Sequence, residues 1–335
     1  MHTAKYWEST AAGRARCRLC PHECLIAEGH AGRCGVRVLR GGVLRASGYG
    51  MLSGAHTDPM EKKPLYHFYP GAAVFSVGGW GCNLSCRFCQ NWGISQQIGR
   101  SERVVPPAEV VAAALGAQPG PAPAIAYTYN EPLINFEFVQ DCARAARAAG
   151  KNMRNILVTN GLVNPAPAAE LLPLIDALNI DIKSMDPEFY REYCGGPLDP
   201  VLDFAQAARA AGCHLEITNL VIPGLNDAAA LFQKLAGWIR RHLGAATPLH
   251  LSAYHPAFKV DLPATPPETL ERAAELCRRE LHYVYLGNLG TPAGQDTLCP
   301  QCGALQIERR GYRVRRRGLK GAACAGCGRP ADLVL

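Results

Sequence analysis

The chain has 335 residues, 48% hydrophobic and 19% charged, enough for one large core with small appendages at either end. Its opening, MHTAKYWEST, lacks the basic and apolar regions of a signal peptide, and no stretch approaches about 18 uninterrupted apolar residues. A soluble, cytoplasmic protein without membrane contact is expected. The formal charge of +7 sits at the ends: residues 1–65 hold ten Lys/Arg against five Asp/Glu, and residues 299–335 eight against two. The net-acidic middle is therefore not a generic polyanion-binding surface.

Fifteen cysteines fall in tight clusters of four, three and four, leaving Cys142, Cys194, Cys213 and Cys277 single. Disulfide scaffolds are usually short secreted chains, so this clustering points to metal. In chain order, CRLCPHECLIAEGHAGRCGVR comes first, spacing Cys17, Cys20, Cys24 and Cys34 for one metal site. Four thiolates suit zinc or a second iron-sulfur cluster, and ligand softness does not separate the two. His22 and His30 are either substitute ligands or surface residues of the loop.

From Ala73 to Leu289, short apolar runs alternate with helical patterns: AVFSVGG, AIAYTYN, NILVTNG, ALNIDIKS, HLEITNLVIPG, LHLSAYH and YVYLGN mark strands, PAEVVAAALGA and PLINFEFVQDCARAARAAG helices. Runs apolar at nearly every position suit parallel strands covered on both faces. Six or more βα units favour a barrel, complete or partial in closure. The proline-rich stretches 118–124 and 164–170 read as loops or helix starts. Polar residues follow the runs and would gather at one mouth: the cysteines, Asn130 with Glu131, Asn160, Lys183 and His255.

GCNLSCRFCQNW gives Cys82, Cys86 and Cys89 in a Cys-x3-Cys-x2-Cys run. Three thiolates cannot close a four-iron cube, so one iron is left for a non-protein ligand. With Phe88 before the last cysteine, the run resembles the signature of the radical S-adenosylmethionine (SAM) superfamily. The resemblance implies a [4Fe-4S] cluster whose open iron is chelated by SAM. One electron then cleaves SAM to methionine and a 5′-deoxyadenosyl radical that abstracts hydrogen. A structural zinc knuckle missing a ligand is the alternative.

TYNEP (128–132) lies where superfamily members bind the methionyl amine, which makes Asn130 and Glu131 amine-binding candidates. The other reading of Glu131 is a first-turn residue favoured by the helix dipole. VTNG (158–161) and DALNIDIKS (176–184) resemble strands of glycyl-radical activating enzymes and carry over Thr159, Asn160, Asp181 and Lys183. Lys183 would bind the cofactor carboxylate, or else simply pair with Asp181. The resemblance also places Phe88, Asn91, Tyr129 and His255 at the cofactor, with a structural role open for His255. Cys194 is a radical relay or a packed thiol.

At the C-terminus, CPQC and CAGC bring Cys299, Cys302, Cys324 and Cys327 together across a hairpin-like QIERRGYRVRRRGLKG. Two such knuckles read as a zinc ribbon or a rubredoxin-like iron site. The basic hairpin with Tyr312 suits nucleic-acid phosphate or an acidic protein, or is a solvated strand face.

The ordered motifs, with DIKSM, VIPGLND and YVYLGN added, resemble the AmmeMemoRadiSam system radical SAM enzyme family, relatives of pyruvate formate-lyase activating enzymes. That resemblance implies an α/β fold built on a partial (β/α)6-type barrel (69–294). An N-terminal Cys-rich metal-binding segment (1–68) and a C-terminal four-Cys ribbon (295–335) flank it. It also implies Memo-type and AMMECR-type partners, a flavodoxin- or ferredoxin-type one-electron reductant and a substrate the motifs do not name. The expected activity is hydrogen abstraction. Activation of a glycyl-radical partner is the nearest alternative, and an iron-sulfur electron carrier or zinc-dependent RNA-binding module the non-enzymatic one.

Overall fold

A computed structural model describes residues 2–99, 103–117, 124–150, 152–290 and 293–335. Its centre is an eight-stranded sheet: β1 (Gly54–Pro59), β2 (Ala73–Gly78), β3 (Ala124–Tyr127), β4 (Arg154–Thr159), β5 (Ala177–Asp181), β6 (His214–Val221), β7 (Leu249–Ala253) and β8 (Val284–Gly287). The strands lie side by side in chain order, β2 to β8 all parallel and β1 antiparallel along the β2 edge. Seven parallel strands agree with the six or more read from the apolar runs, each run yielding one. The segment read as N-terminal, up to residue 68, gives its last strand, β1, to this sheet. Of the proline-rich stretch at 118–124, residues 118–123 lie outside the described residues.

The helices follow from the pattern of their buried residues. Helix α1 (Pro107–Gly116), α2 (Phe136–Ala148), α3 (Pro165–Leu171), α4 (Asp199–Ala210), α5 (Ala229–His242) and α6 (Pro267–Arg278) fall between or beside the strands. In α5, Phe232, Leu235, Ala236 and Ile239 are buried, and in α6 Leu270, Ala273, Ala274 and Cys277, the spacing of one helical face. Proline opens α1, α3 and α6, where no backbone N–H is needed. The single cysteines Cys142, Cys213 and Cys277 are buried and pack as small apolar residues.

On the other face of the sheet, Ser76, Ala126, Ile156 and Ala177 align across β2 to β5. Met60, Leu65 and Phe68 close this face from the segment ahead of β2. Beneath them lies a buried polar floor organised by Glu216. Its carboxylate accepts from the Tyr66 and His67 backbone N–H groups at 3.0 and 2.7 Å, and from His214 and His250 at 3.0 and 2.6 Å. Burial alone would raise its pKa, but the hydrogen bonds from His214 and His250 outweigh burial and hold it well below the usual carboxylate range.

The C-terminal module is fastened to this floor. Its hairpin, β9 (Leu305–Arg310) and β10 (Arg313–Arg316), sends the fully buried Arg309 inward, where it donates to Thr297 at 2.7 Å and Tyr66 O at 2.6 Å and pairs with Glu61 at 3.5 Å. Val334 pairs with the 67–69 backbone, and Asp332 accepts from Tyr283 at 2.7 Å. Arg309→Met should lower folding stability by on the order of 3–5 kcal/mol, because Glu61 is left buried and unpaired. Chemical denaturation of the full chain checks this, and a midpoint unchanged from the parent would contradict it.

Candidate functional site at the carboxyl ends of the strands

In a parallel sheet the loops after the strands share one end, and the chemistry-bearing residues collect there. The loop after β2 carries Cys82, Cys86 and Cys89. Asn130, just past β3, pins this loop: its Oδ1 accepts from Gly79 N at 2.9 Å and its Nδ2 donates to Gly81 O at 3.0 Å. Gly81 cannot carry a side chain, because a Cβ would stand 2.3 Å from Cys34 O and the residue is left-handed at φ +86°. On the far side, Ser85 N and Arg87 N donate to Cys194 O and Tyr193 O at 2.9 and 2.8 Å. Cys194 itself is buried.

Glu131 joins the loops after β3 and β4. Its carboxylate accepts from Leu133 N at 2.9 Å, Thr159 Oγ1 at 2.6 Å and Asn160 N at 2.8 Å. Glu131 is the N-cap of the short turn Pro132–Asn135, one position before the first turn, and among the described residues three of its four carboxylate lone-pair sites are used. Asn160 continues the chain of bonds: its Nδ2 donates to Asn83 Oδ1 at 2.9 Å and reaches Cys82 Sγ at 3.5 Å. Leu84 N also points at Cys82 Sγ, 3.3 Å away.

The remaining residues sit around this core. Lys183 Nζ pairs with Asp181 Oδ2 at 3.0 Å, and the pair acts electrostatically on Cys86. Tyr129 is left-handed at φ +72°; its backbone O accepts from Asn91 at 2.9 Å and its hydroxyl donates to Asp58, whose other partners are Lys62 and Lys63 at 2.8 and 2.7 Å. Phe88 is a buried ring 5.7 Å from Phe189, so it supports the loop from within. His255 is exposed and borders an open cavity of about 720 Å³ with Gln90, Ala257 and Asn288. That volume suits a small molecule. Asn83 was missed as a site residue in the sequence, although a polar residue inside a cysteine motif carries a usable signal. Cys194, read there as a radical relay or a packed thiol, is buried against the cysteine loop through tertiary packing.

The donor set fits an iron-sulfur cluster: three thiols on one pinned loop, with N–H groups from Leu84 and Asn160 aimed at a sulfur. The C-terminal set fits a single ion. Its four sulfurs lie within 4.8 Å of one another, and the backbone N–H groups of Cys327 and Gly326 draw the Cys324 thiol down to about 6, toward the ligating thiolate.

Burial pushes the Glu131 carboxyl up to about 7, against the hydrogen bonds from Thr159, Asn160 and Leu133. A carboxyl whose folded pKa is raised favours the folded state below its unfolded pKa, and that advantage fades as pH rises through the folded value. Stability of the metal-free protein should therefore fall by on the order of 2–3 kcal/mol between about pH 4.5 and 7 from this residue. Glu131→Gln should remove that part of the slope in denaturation midpoints taken across the range, and an identical slope in both proteins would contradict it.

Residues 78–234 match the model of the Radical SAM superfamily. The chain is 41% identical to the uncharacterized protein MJ0808 of Methanocaldococcus jannaschii over the full length of both. It is 28% identical to the pyruvate formate-lyase 1-activating enzyme of Escherichia coli, over 52% of this chain and 71% of that one. A radical SAM methyltransferase from Sphaerobacter thermophilus, 18% identical, shares the fold with a TM-score of 0.52 over 71% of this chain and 72% of its own. Among the described residues no helix is long and apolar enough to cross a membrane. Residues 78–234 thus carry the radical SAM domain, and the chain is an enzyme of the radical SAM type.

Proposed function

We propose that Cys82, Cys86 and Cys89 hold a [4Fe-4S] cluster, and that the enzyme cleaves SAM reductively to abstract hydrogen from a substrate reached through the cavity beside Gln90 and His255. The observation that carries this reading is the pinned three-thiol loop at the carboxyl ends of the strands, with Asn160 reaching Cys82 Sγ at 3.5 Å. When bound, the cluster and SAM supply the electron and the radical, and the protein supplies position and exclusion of water. Asn130 fixes the loop, Glu131 with Thr159 and Asn160 fixes the neighbouring strand ends, and the free Glu131 lone pair is the acceptor for the methionyl amine. Lys183, next to Asp181, is the point charge for the cofactor carboxylate. Tyr129, Asn91, Phe88 and His255 shape the surrounding walls. Cys194, whose backbone O accepts from Ser85 N, backs the same loop.

The finer family reading is the AmmeMemoRadiSam system enzyme, on a partial (β/α)6-type barrel in a cytoplasmic setting. A flavodoxin- or ferredoxin-type reductant supplies the electron, and Memo-type and AMMECR-type proteins are associates. The ordered motifs support it. A second reading, activation of a glycyl-radical partner, is favoured by the likeness to the E. coli activating enzyme. The C-terminal cysteines hold zinc or a rubredoxin-like iron. Arg309 is buried, so a nucleic-acid or acidic-protein face would consist of Arg313, Arg315, Arg316 and the exposed Tyr312, at the floor end.

Replacing Cys82, Cys86 and Cys89 together with Ala should abolish 5′-deoxyadenosine formation from SAM under reducing, oxygen-free conditions; persistent cleavage would overturn the assignment. Cys302→Ser should cost the ribbon its ion in elemental analysis yet spare uncoupled SAM cleavage, because the ribbon sits at the other end of the strands. Product formed many times per enzyme supports a modifying enzyme, whereas one conversion per partner protein supports the activating one.

A further inference from the structure

The N-terminal cysteine motif builds a cavity of its own, lined by Cys17, Cys20, Cys24 and Cys34 together with Arg37 and Asn83. Size is its first informative property. Four sulfurs about 2.3 Å from one tetrahedral ion stand about 3.8 Å apart. The C-terminal ribbon meets that demand, with Cys299–Cys327 and Cys302–Cys324 sulfur pairs at 3.6 Å. Among the described residues, its sulfurs are the ligand set gathered within 4.8 Å of one another, and the N-terminal four are not drawn together so tightly. They line an enclosed cavity instead of converging on one point, and a cube of four irons and four sulfides spreads its ligands where a single ion draws them together.

Charge is the second. The Arg37 side chain is 1% exposed. Its Nη1 and Nη2 donate to Glu137 at 3.2 and 3.1 Å, yet among the described residues its Nε has no hydrogen-bond partner. Leaving such a group unsatisfied in the interior is costly. A sulfur ligand in the cavity that Arg37 borders accepts that bond and places anionic sulfur beside a guanidinium.

Position is the third. His22 Nε2 lies 2.7 Å from the backbone O of Asn83, the residue after Cys82, and Arg33 Nη2 donates to Ser85 Oγ at 3.1 Å. Cys34 O lies against Gly81, the residue before Cys82. The cavity and the loop of the first cluster therefore share a wall.

We propose that Cys17, Cys20, Cys24 and Cys34 hold a second [4Fe-4S] cluster, packed directly against the Cys82–Cys89 loop. With four protein ligands it has no open iron, so it does not bind SAM. It takes one electron from a ferredoxin- or flavodoxin-class donor, passing from the 2+ to the 1+ state, and returns to 2+ by giving that electron to the first cluster.

The test counts metal in the full chain reconstituted without oxygen and records electron paramagnetic resonance after reduction. The parent should carry about eight irons, and the Cys82→Ala, Cys86→Ala, Cys89→Ala variant about four, with a reduced-cluster signal that SAM does not alter. A variant that holds an additional zinc and no iron overturns the proposal. Should the variant fail to fold, the parent decides alone. Two reduced-cluster signals, one shifted by SAM and one indifferent to it, support the second cluster, and a single signal shifted completely by SAM excludes it. An indifferent signal without a SAM-responsive one would retain the N-terminal cluster and refute the radical SAM reading of the three-cysteine loop.

Discussion

A buried carboxylate at each end of the sheet sets the geometry of everything around it. Glu131 gathers a hydroxyl and two backbone N–H groups from the ends of neighbouring strands, and through Asn160 it fixes the surroundings of Cys82. Glu216 does the same at the floor with two backbone N–H groups and two imidazoles. Each is bought at a desolvation cost that only multiple donors offset. The two differ in outcome. The donors of Glu216 overcome burial and keep it ionised, while those of Glu131 do not, leaving a carboxyl that titrates near neutrality beside the cysteine loop.

The walls between these ends are plain by comparison. Parallel strands apolar on both faces need cover on each: helices lie on one side, and on the other Met60, Leu65 and Phe68 pack with Ala126, Ile156 and Ala177. Side-chain chemistry is thereby pushed to the loops after the strands, where a change of residue alters reactivity without disturbing the core.

Much of this was legible before any coordinates. The seven apolar runs became seven parallel strands because burial on both faces leaves an unmistakable pattern, and cysteine spacing announces metal because thiolates must converge. The hairpin between CPQC and CAGC was readable from its alternation. What escaped the sequence was long-range. Glu216, Lys63 and Arg309 look like ordinary strand or surface charges, and only the fold shows that each is buried and what it meets. Cys194 lies more than a hundred residues from the loop it touches. Phe88, read as a cofactor contact, turns into the core because Phe189 offers a ring to pack on. Roles that depend on partners distant in the chain are invisible to local pattern.

The seating of Arg309 has a consequence for how the molecule is made. The floor residues Glu61 and Tyr66 wait for a guanidinium supplied near the end of the chain, and His67 and Tyr283 wait for Asp332. During synthesis, the interior therefore holds unsatisfied polar groups until the segment that carries Arg309 and Asp332 has emerged. Chain completion is read by that contact, and a polypeptide that stops short of it stays open at the floor.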